Sequence, residues 1–134
     1  MTRLLARHRG FSLIELLAVL LITALLASIA IPSYQKYIHR SYRTEAKDML
    51  LRIASAQERY FSAQNRYGSL RELGITDART SHHHYEVDVE SDASQFKATA
   101  RPLGQQTKDR CGSLSLDHTG RRSSSASQQT RDCW

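Results

Sequence analysis

Apolar residues run along this chain in three different rhythms. From residue 11 to residue 31 the sequence FSLIELLAVLLITALLASIAI is almost free of polar interruption. As a helix it would extend roughly 30 Å, the thickness of a bilayer's hydrocarbon core, so it is long enough to cross a membrane. Pro32 follows, and because it lacks the amide hydrogen an interior helical residue donates, a kink or a local unwinding is expected there. Beyond it the rhythm changes. Tyr42, Ala46, Met49, Leu50, Ile53, Ala56, Tyr60 and Phe61 recur at steps of three and four, which defines one face of an amphipathic helix. Arg43, Lys47, Arg52, Gln57 and Glu58 fall at other positions and are expected to face solvent or adjacent subunits.

Asn65-Arg66-Tyr67-Gly68 carries turn chemistry and should end this helix. Leu70, Leu73 and Ile75 are then the sizeable aliphatics available to anchor the connecting loop. The third rhythm has a period of two: Tyr85, Val87 and Val89, then Phe96, Ala98 and Ala100 beyond a turn at residues 90–95, which read as a hairpin. Residues 113–116, SLSL, are a third candidate strand, closed by the turn composition of Asp117-His118-Thr119-Gly120. Three short antiparallel strands laid on one face of a long helix give an α+β architecture.

Charge and cysteine content alter this picture in two places. The formal net charge is +6, but Arg3, Arg7 and Arg9 precede the apolar run with no acidic neighbour, so without them the remainder carries only +3. Lys97, Arg101, Lys108, Arg110, Arg121, Arg122 and Arg131 make the last third locally basic, which leaves an acidic partner such as DNA as a weaker alternative to plain solvated surface. Cys111 and Cys133 enclose 21 residues rich in Ser, Gln and Arg, with little to bury. A bridge would hold that segment closed and add about 3 kcal/mol in the chain-entropy model; two reduced, buried cysteines are the alternative.

Candidate chemistry is sparse. His82-His83-His84 has no second ligand cluster, and adjacent residues of an extended chain point to alternate sides, so no metal or other cofactor is expected. There is no phosphate-cradling glycine loop, nucleophile elbow or paired carboxylates in a catalytic context, and an enzyme is not expected. Glu15 is the exception that matters: an ionisable carboxylate set inside the apolar run, costly in lipid and therefore a functional candidate. The three leading arginines and the small residues Ser28 and Ala30 also fit a cleaved signal peptide, and the apolar run fits a simple anchor. Against both stand Glu15 and the direct passage from the apolar run into a long helical pattern.

Gly10-Phe11-Ser12-Leu13-Ile14-Glu15, behind a basic leader and ahead of an apolar run, resembles the type III signal of type IV prepilins and pseudopilins. The resemblance implies a type IV pilin fold and cleavage between Gly10 and Phe11 by the prepilin peptidase. It also implies methylation of the new amino group on Phe11, and pairing of Glu15 with the amino terminus of a neighbouring subunit during assembly. Similar pilins also carry a proline at the position of Pro32. The segment from Cys111-Gly112-Ser113 to Cys133-Trp134 resembles the disulfide-bounded C-terminal region of minor pilins of the PilE kind, which implies that Cys111 and Cys133 are joined.

The implied organisation is a leader (1–10), a hydrophobic transmembrane and assembly helix (11–32), an amphipathic helix (33–64) and a β-rich head (65–134). The implied role is a minor pilus subunit that helps prime assembly of pili used in adhesion and twitching motility. Its implied partners are other major and minor pilins, the prepilin peptidase and the inner-membrane assembly platform, with a tip adhesin as a further candidate. Before assembly it would sit in the inner membrane with its head in the periplasm, and afterwards at the cell surface in the pilus. A type II secretion pseudopilin and a DNA-receptor pilin are the alternatives.

Overall fold

The computed structural model describes residues 10–126 and 130–134, the side chains of residues 130 and 131 excepted. Arg3, Arg7 and Arg9 of the expected leader, and the Arg131 side chain, lie outside the described residues. The chain forms two compact units, one up to Tyr37 and one from Ile38 to Trp134, and a single helix, α1 (Leu13–Gln64), contributes to both.

In the first unit α1 is apolar on every side. Each large apolar side chain from Phe11 to Ile31 is at least 56% exposed, so this stretch has no packing partner within its own chain. The two hydroxyls inside it are satisfied by the helix itself: Thr23 donates to the Val19 carbonyl at 2.7 Å and Ser28 to the Leu25 carbonyl at 2.7 Å. That economy suits a lipid environment, where no water is present to bond them. Helical backbone continues through Pro32, so the local unwinding offered as one outcome does not occur.

The second unit is a four-stranded antiparallel sheet over the C-terminal part of α1. Its strands are β1 (Tyr85–Ser91), β2 (Phe96–Pro102), β3 (Leu114–Asp117) and β4 (Arg122–Ser124), hydrogen-bonded in that order. The first three match the expected strands, whereas β4 was not foreseen. A short 3-10 helix (Gly104–Lys108) links β2 to β3, and α2 (Thr130–Cys133) closes the chain.

The register aligns Val89, Ala98, Leu116 and Arg122 in one row across the sheet, and Val87, Ala100, Leu114 and Ser124 in the next. Both rows lie on the same face. Their apolar members pack with Ala46, Leu50 and Ile53 of α1 and with Tyr67, Tyr85 and Phe96 to form the core. Ala46, Ala98 and Ala100 are fully buried, small side chains that let helix and sheet approach closely. Leu70, Leu73 and Ile75 pack against this core, which anchors the loop as expected. Cys111 and Cys133 are joined and fully buried.

One expectation fails on α1. The buried positions of the helix are Arg43, Ala46, Leu50, Ile53 and Gln57, so two residues expected to face outward lie inside. Arg43 donates from one guanidinium nitrogen to both carboxylate oxygens of buried Asp109, at 2.7 and 2.9 Å. Asp109 also accepts from the Gln106 side-chain amide, which donates as well to the Tyr85 hydroxyl at 3.0 Å. Burial pushes the Tyr85 phenol up to about 12. Gln57 uses both ends of its amide on one backbone unit, donating to the Gly68 carbonyl at 2.6 Å and accepting from the Gly68 amide at 2.9 Å. Polar groups are tolerated inside because each of these bonds replaces one lost to water.

Candidate functional site

Two regions carry the candidate function, the start of α1 and the edge of the head. At the start, Gly10, Phe11 and Ser12 precede the first helical residue, Leu13. A Cβ added at Gly10 would meet nothing within 4 Å, so within this chain the glycine is not required by packing. Phe11 is 90% exposed. Glu15 accepts the backbone N–H of Ser12 at 2.9 Å through Oε2, the reach-back of an N3 carboxylate to the residue that caps a helix. This bond uses one carboxylate oxygen; Oε1 meets no donor among the described residues. Sequence reading gave Glu15 only an intermolecular partner and missed this capping bond, although Ser-x-x-Glu before an apolar run is its usual signature.

The three histidines fall at the foot of β1, where the His82 and His84 rings stack with centroids 6.4 Å apart. His82 Nδ1 lies 2.7 Å from Glu45 Oε1 on α1, His84 stacks on the Tyr42 ring with centroids 3.6 Å apart, and His83 takes a positive φ of 58°.

Among the described residues, five exposed cations of the head have a carboxylate beside them: Arg52 with Asp48, Arg66 with Glu72, Arg79 with Glu86, Arg101 with Asp88 and Arg110 with Asp132. The Arg66 guanidinium and the hydroxyl and backbone N–H of Ser69 hold the Glu72 carboxyl down at about 2. Lys97 is aligned across the sheet between Glu90 and Asp117.

The β4 edge differs. The register places Arg122 on the helix-facing side of the sheet, at the end of the Val89 row and beyond the core, where it is exposed. Its guanidinium carbon stands 5.4 Å from the Trp134 ring centroid, a cation–π contact. The Trp134 indole N–H donates to the Ser123 carbonyl at 2.8 Å, and the disulfide fixes the preceding residue, so the ring is held against β4. Lys47, half-buried on α1, has its pKa lowered by burial first and then by the fields of Arg43, Arg40 and Arg122. No carboxylate among the described residues offsets that effect. The arrangement has no nucleophile or paired acid and base; it presents positive charge.

Residues 5–31 match the prokaryotic N-terminal methylation motif, and residues 32–115 match the family described as type IV minor pilin ComP, DNA uptake sequence receptor. The chain is 40% identical over 84 residues to the type IV major pilin protein PilA of Myxococcus xanthus, covering 62% of this chain and 38% of that one. It is 43% identical over 55 residues to the fimbrial protein EcpC of Eikenella corrodens, covering 41% and 36%. The matches thus span under two fifths of these relatives' own length. Among solved structures, a type IV pilin from Shewanella oneidensis aligns with a TM-score of 0.54 at 28% identity, over 72% of this chain and 97% of that one. A membrane-length apolar helix behind a methylation motif, a disulfide-closed α+β head and these matches agree: the chain belongs to the type IV pilin family, with a head of the ComP minor pilin family.

Proposed function

We propose that this chain is a minor pilin that is drawn into type IV pili and binds DNA through its head. The match of residues 32–115 to the DNA uptake sequence receptor family carries this reading, because it runs through β1 and β2 into β3 and is not confined to the shared N-terminal helix. The prepilin peptidase would cut after Gly10 and leave Phe11 as a methylated amino terminus. The helix then holds the subunit in the inner membrane with the head in the periplasm, until the assembly platform moves it into a filament of major and minor pilins. Exposure of every large apolar side chain of residues 11–31 supports this, since lipid and then neighbouring helices are what can cover them.

Glu15 acts at the transfer. Its Oε2 is occupied by the Ser12 amide, and Oε1 is the atom offered to a neighbour's Phe11 amino group. A minor subunit placed in this way would help prime assembly, and pili bearing it would serve adhesion and twitching motility as well as DNA capture. The closed Cys111–Cys133 loop supports a pilus subunit over a secretion pseudopilin.

The test has two arms. Mass spectrometry of the pilus fraction should recover a chain beginning at methylated Phe11, and Glu15→Ala should insert into the membrane and be cleaved yet be lost from sheared filaments. Normal incorporation of the cleaved variant overturns the role given to Glu15. Purified full-length protein in detergent should bind duplex DNA with an affinity that falls steeply with salt; no binding at low salt overturns the DNA reading.

A further inference from the structure

We propose that the foot of β1 is a site for a divalent cation of the zinc class, with His82 and His84 as its protein ligands and Glu45 of α1 as a positioning residue. The site does not depend on the DNA reading.

The expectation of no metal rests on an extended chain, in which adjacent histidines point to alternate sides. The chain is not extended there. Residues 81–84 form a turn and bend, and His83 takes a positive φ of 58°. The rings of His82 and His84 come to lie nearly parallel, 16° apart in plane and 6.4 Å between centroids. With metal–nitrogen bonds of about 2 Å, two imidazoles on one ion have centroids roughly 5–6 Å apart. A small swing of the His82 ring, which is mostly exposed, reaches that spacing.

The three rings differ in what else they touch. His83 is engaged locally, with Nδ1 3.2 Å from the Thr80 carbonyl. His82 Nδ1 lies 2.7 Å from Glu45 Oε1. A carboxylate only accepts, so the proton of this bond sits on Nδ1, and the lone pair of the neutral ring is left on Nε2. A carboxylate behind the far nitrogen of a ligating histidine is the usual outer-shell partner at a metal, because it fixes the tautomer and turns the free nitrogen outward. Glu45 Oε2 is buried and meets no donor among the described residues, so His82 is the hydrogen-bond partner this carboxylate has there.

His84 stacks on Tyr42, and neither of its ring nitrogens has a hydrogen-bond partner among the described residues. Tyr42 and Glu45 are three residues apart on α1, so one face of the helix holds both rings. Imidazole nitrogens favour zinc, copper or nickel, whereas magnesium and calcium take oxygen. Among the described residues no group of three His, Cys, Asp or Glu converges, so water completes the shell around the two histidines. An ion held there ties the foot of β1 to α1 through His82 and Glu45.

The experiment titrates Zn2+ into metal-free, full-length protein in detergent by calorimetry, beside imidazole 15N spectra and thermal melts. The parent should take up one ion per chain and melt at a higher temperature with zinc than without it. The ring signals of His82 and His84 should move while that of His83 stays. His82→Ala and His84→Phe should each weaken binding at least tenfold; the phenylalanine keeps a ring on Tyr42, so that lost binding is not lost packing. Glu45→Gln should weaken binding about tenfold yet leave both histidine signals moving, the mark of a residue that positions a ligand. His83→Asn, which tolerates the positive φ, should bind as the parent does.

No uptake by the parent, or uptake as tight by the His82→Ala/His84→Phe double variant, overturns the site. An equal loss in His83→Asn means that the tract binds without the geometry described here. Displacement of zinc by Mg2+ at equal concentration means that oxygen ligands hold it. Either result overturns the assignment to His82 and His84.

Discussion

Residues 11–31 and residues 42–61 are both helical and both rich in apolar side chains, yet they dispose of them in opposite ways. In the first stretch the large apolar residues are all well exposed; in the second, Ala46, Leu50 and Ile53 are buried almost completely. The difference lies in patterning. Apolar residues on every side of a helix leave no polar face for water, and only lipid or other helices can cover them. Apolar residues confined to one stripe can be covered by a sheet from the same chain. The chain thus completes one of its two cores by itself and leaves the other to its surroundings, as the passage from membrane to filament proposed above requires.

Perturbing the head should therefore lower its stability while leaving membrane insertion untouched, and unfolding of detergent-solubilised protein, followed through Trp134 fluorescence beside membrane fractionation, reads both. The largest effect is expected for Arg43→Ala, which strands Asp109 as a buried, unpaired carboxylate and should cost about 3–5 kcal/mol. Arg43→Met with Asp109→Leu should recover most of that loss, which would show that the penalty belongs to the orphaned charge and not to the pair.

Removing the disulfide with Cys111→Ser/Cys133→Ser should cost about 3 kcal/mol, and limited proteolysis should cut first between the two positions. Gln57→Ala leaves the buried Gly68 amide and carbonyl without partners, for about 1–3 kcal/mol. If any of these variants were lost from the membrane fraction, the independence of the two halves would fail.

The smallest effect is set by pH. The Glu72 carboxyl is held at about 2 in the folded chain, below its ordinary value of 4.5, so the stability it contributes is fully present above that ordinary value and is lost as pH falls toward about 2. The loop from Ser69 to Glu72 should loosen in that window, visible as faster amide exchange at Ser69, whose N–H the carboxylate accepts. Glu72→Gln should exchange faster already at neutral pH and lose this pH dependence. The Arg66 and Glu72 side chains are exposed, so no shift in the midpoint of global unfolding is expected.

The sequence by itself determined the membrane-length helix, the amphipathic helix and the first three strands, and its resemblance to minor pilins implied the closing of Cys111 on Cys133. Those features rest on local periodicity, on composition and on a motif, and each can be read without knowing what packs where. The buried ends of the helical stripe were hidden because they are polar. Arg43, Ala46, Leu50, Ile53 and Gln57 keep steps of three and four without a break, but side-chain chemistry placed the two ends outside, and only Asp109 and Gly68, distant in sequence, show why they are inside.

Strand β4 was hidden for a related reason. Arg122, Ser123 and Ser124 have no apolar alternation, and they pair as a strand because the turn ending at Gly120 returns them to β3 while the disulfide and Trp134 close the far side. Arg121 and Arg122 look equivalent in the sequence. Register alone sets Arg122 on the helix-facing side, because the face a strand residue takes is fixed by pairing between residues distant along the chain, and periodicity carries no record of that pairing.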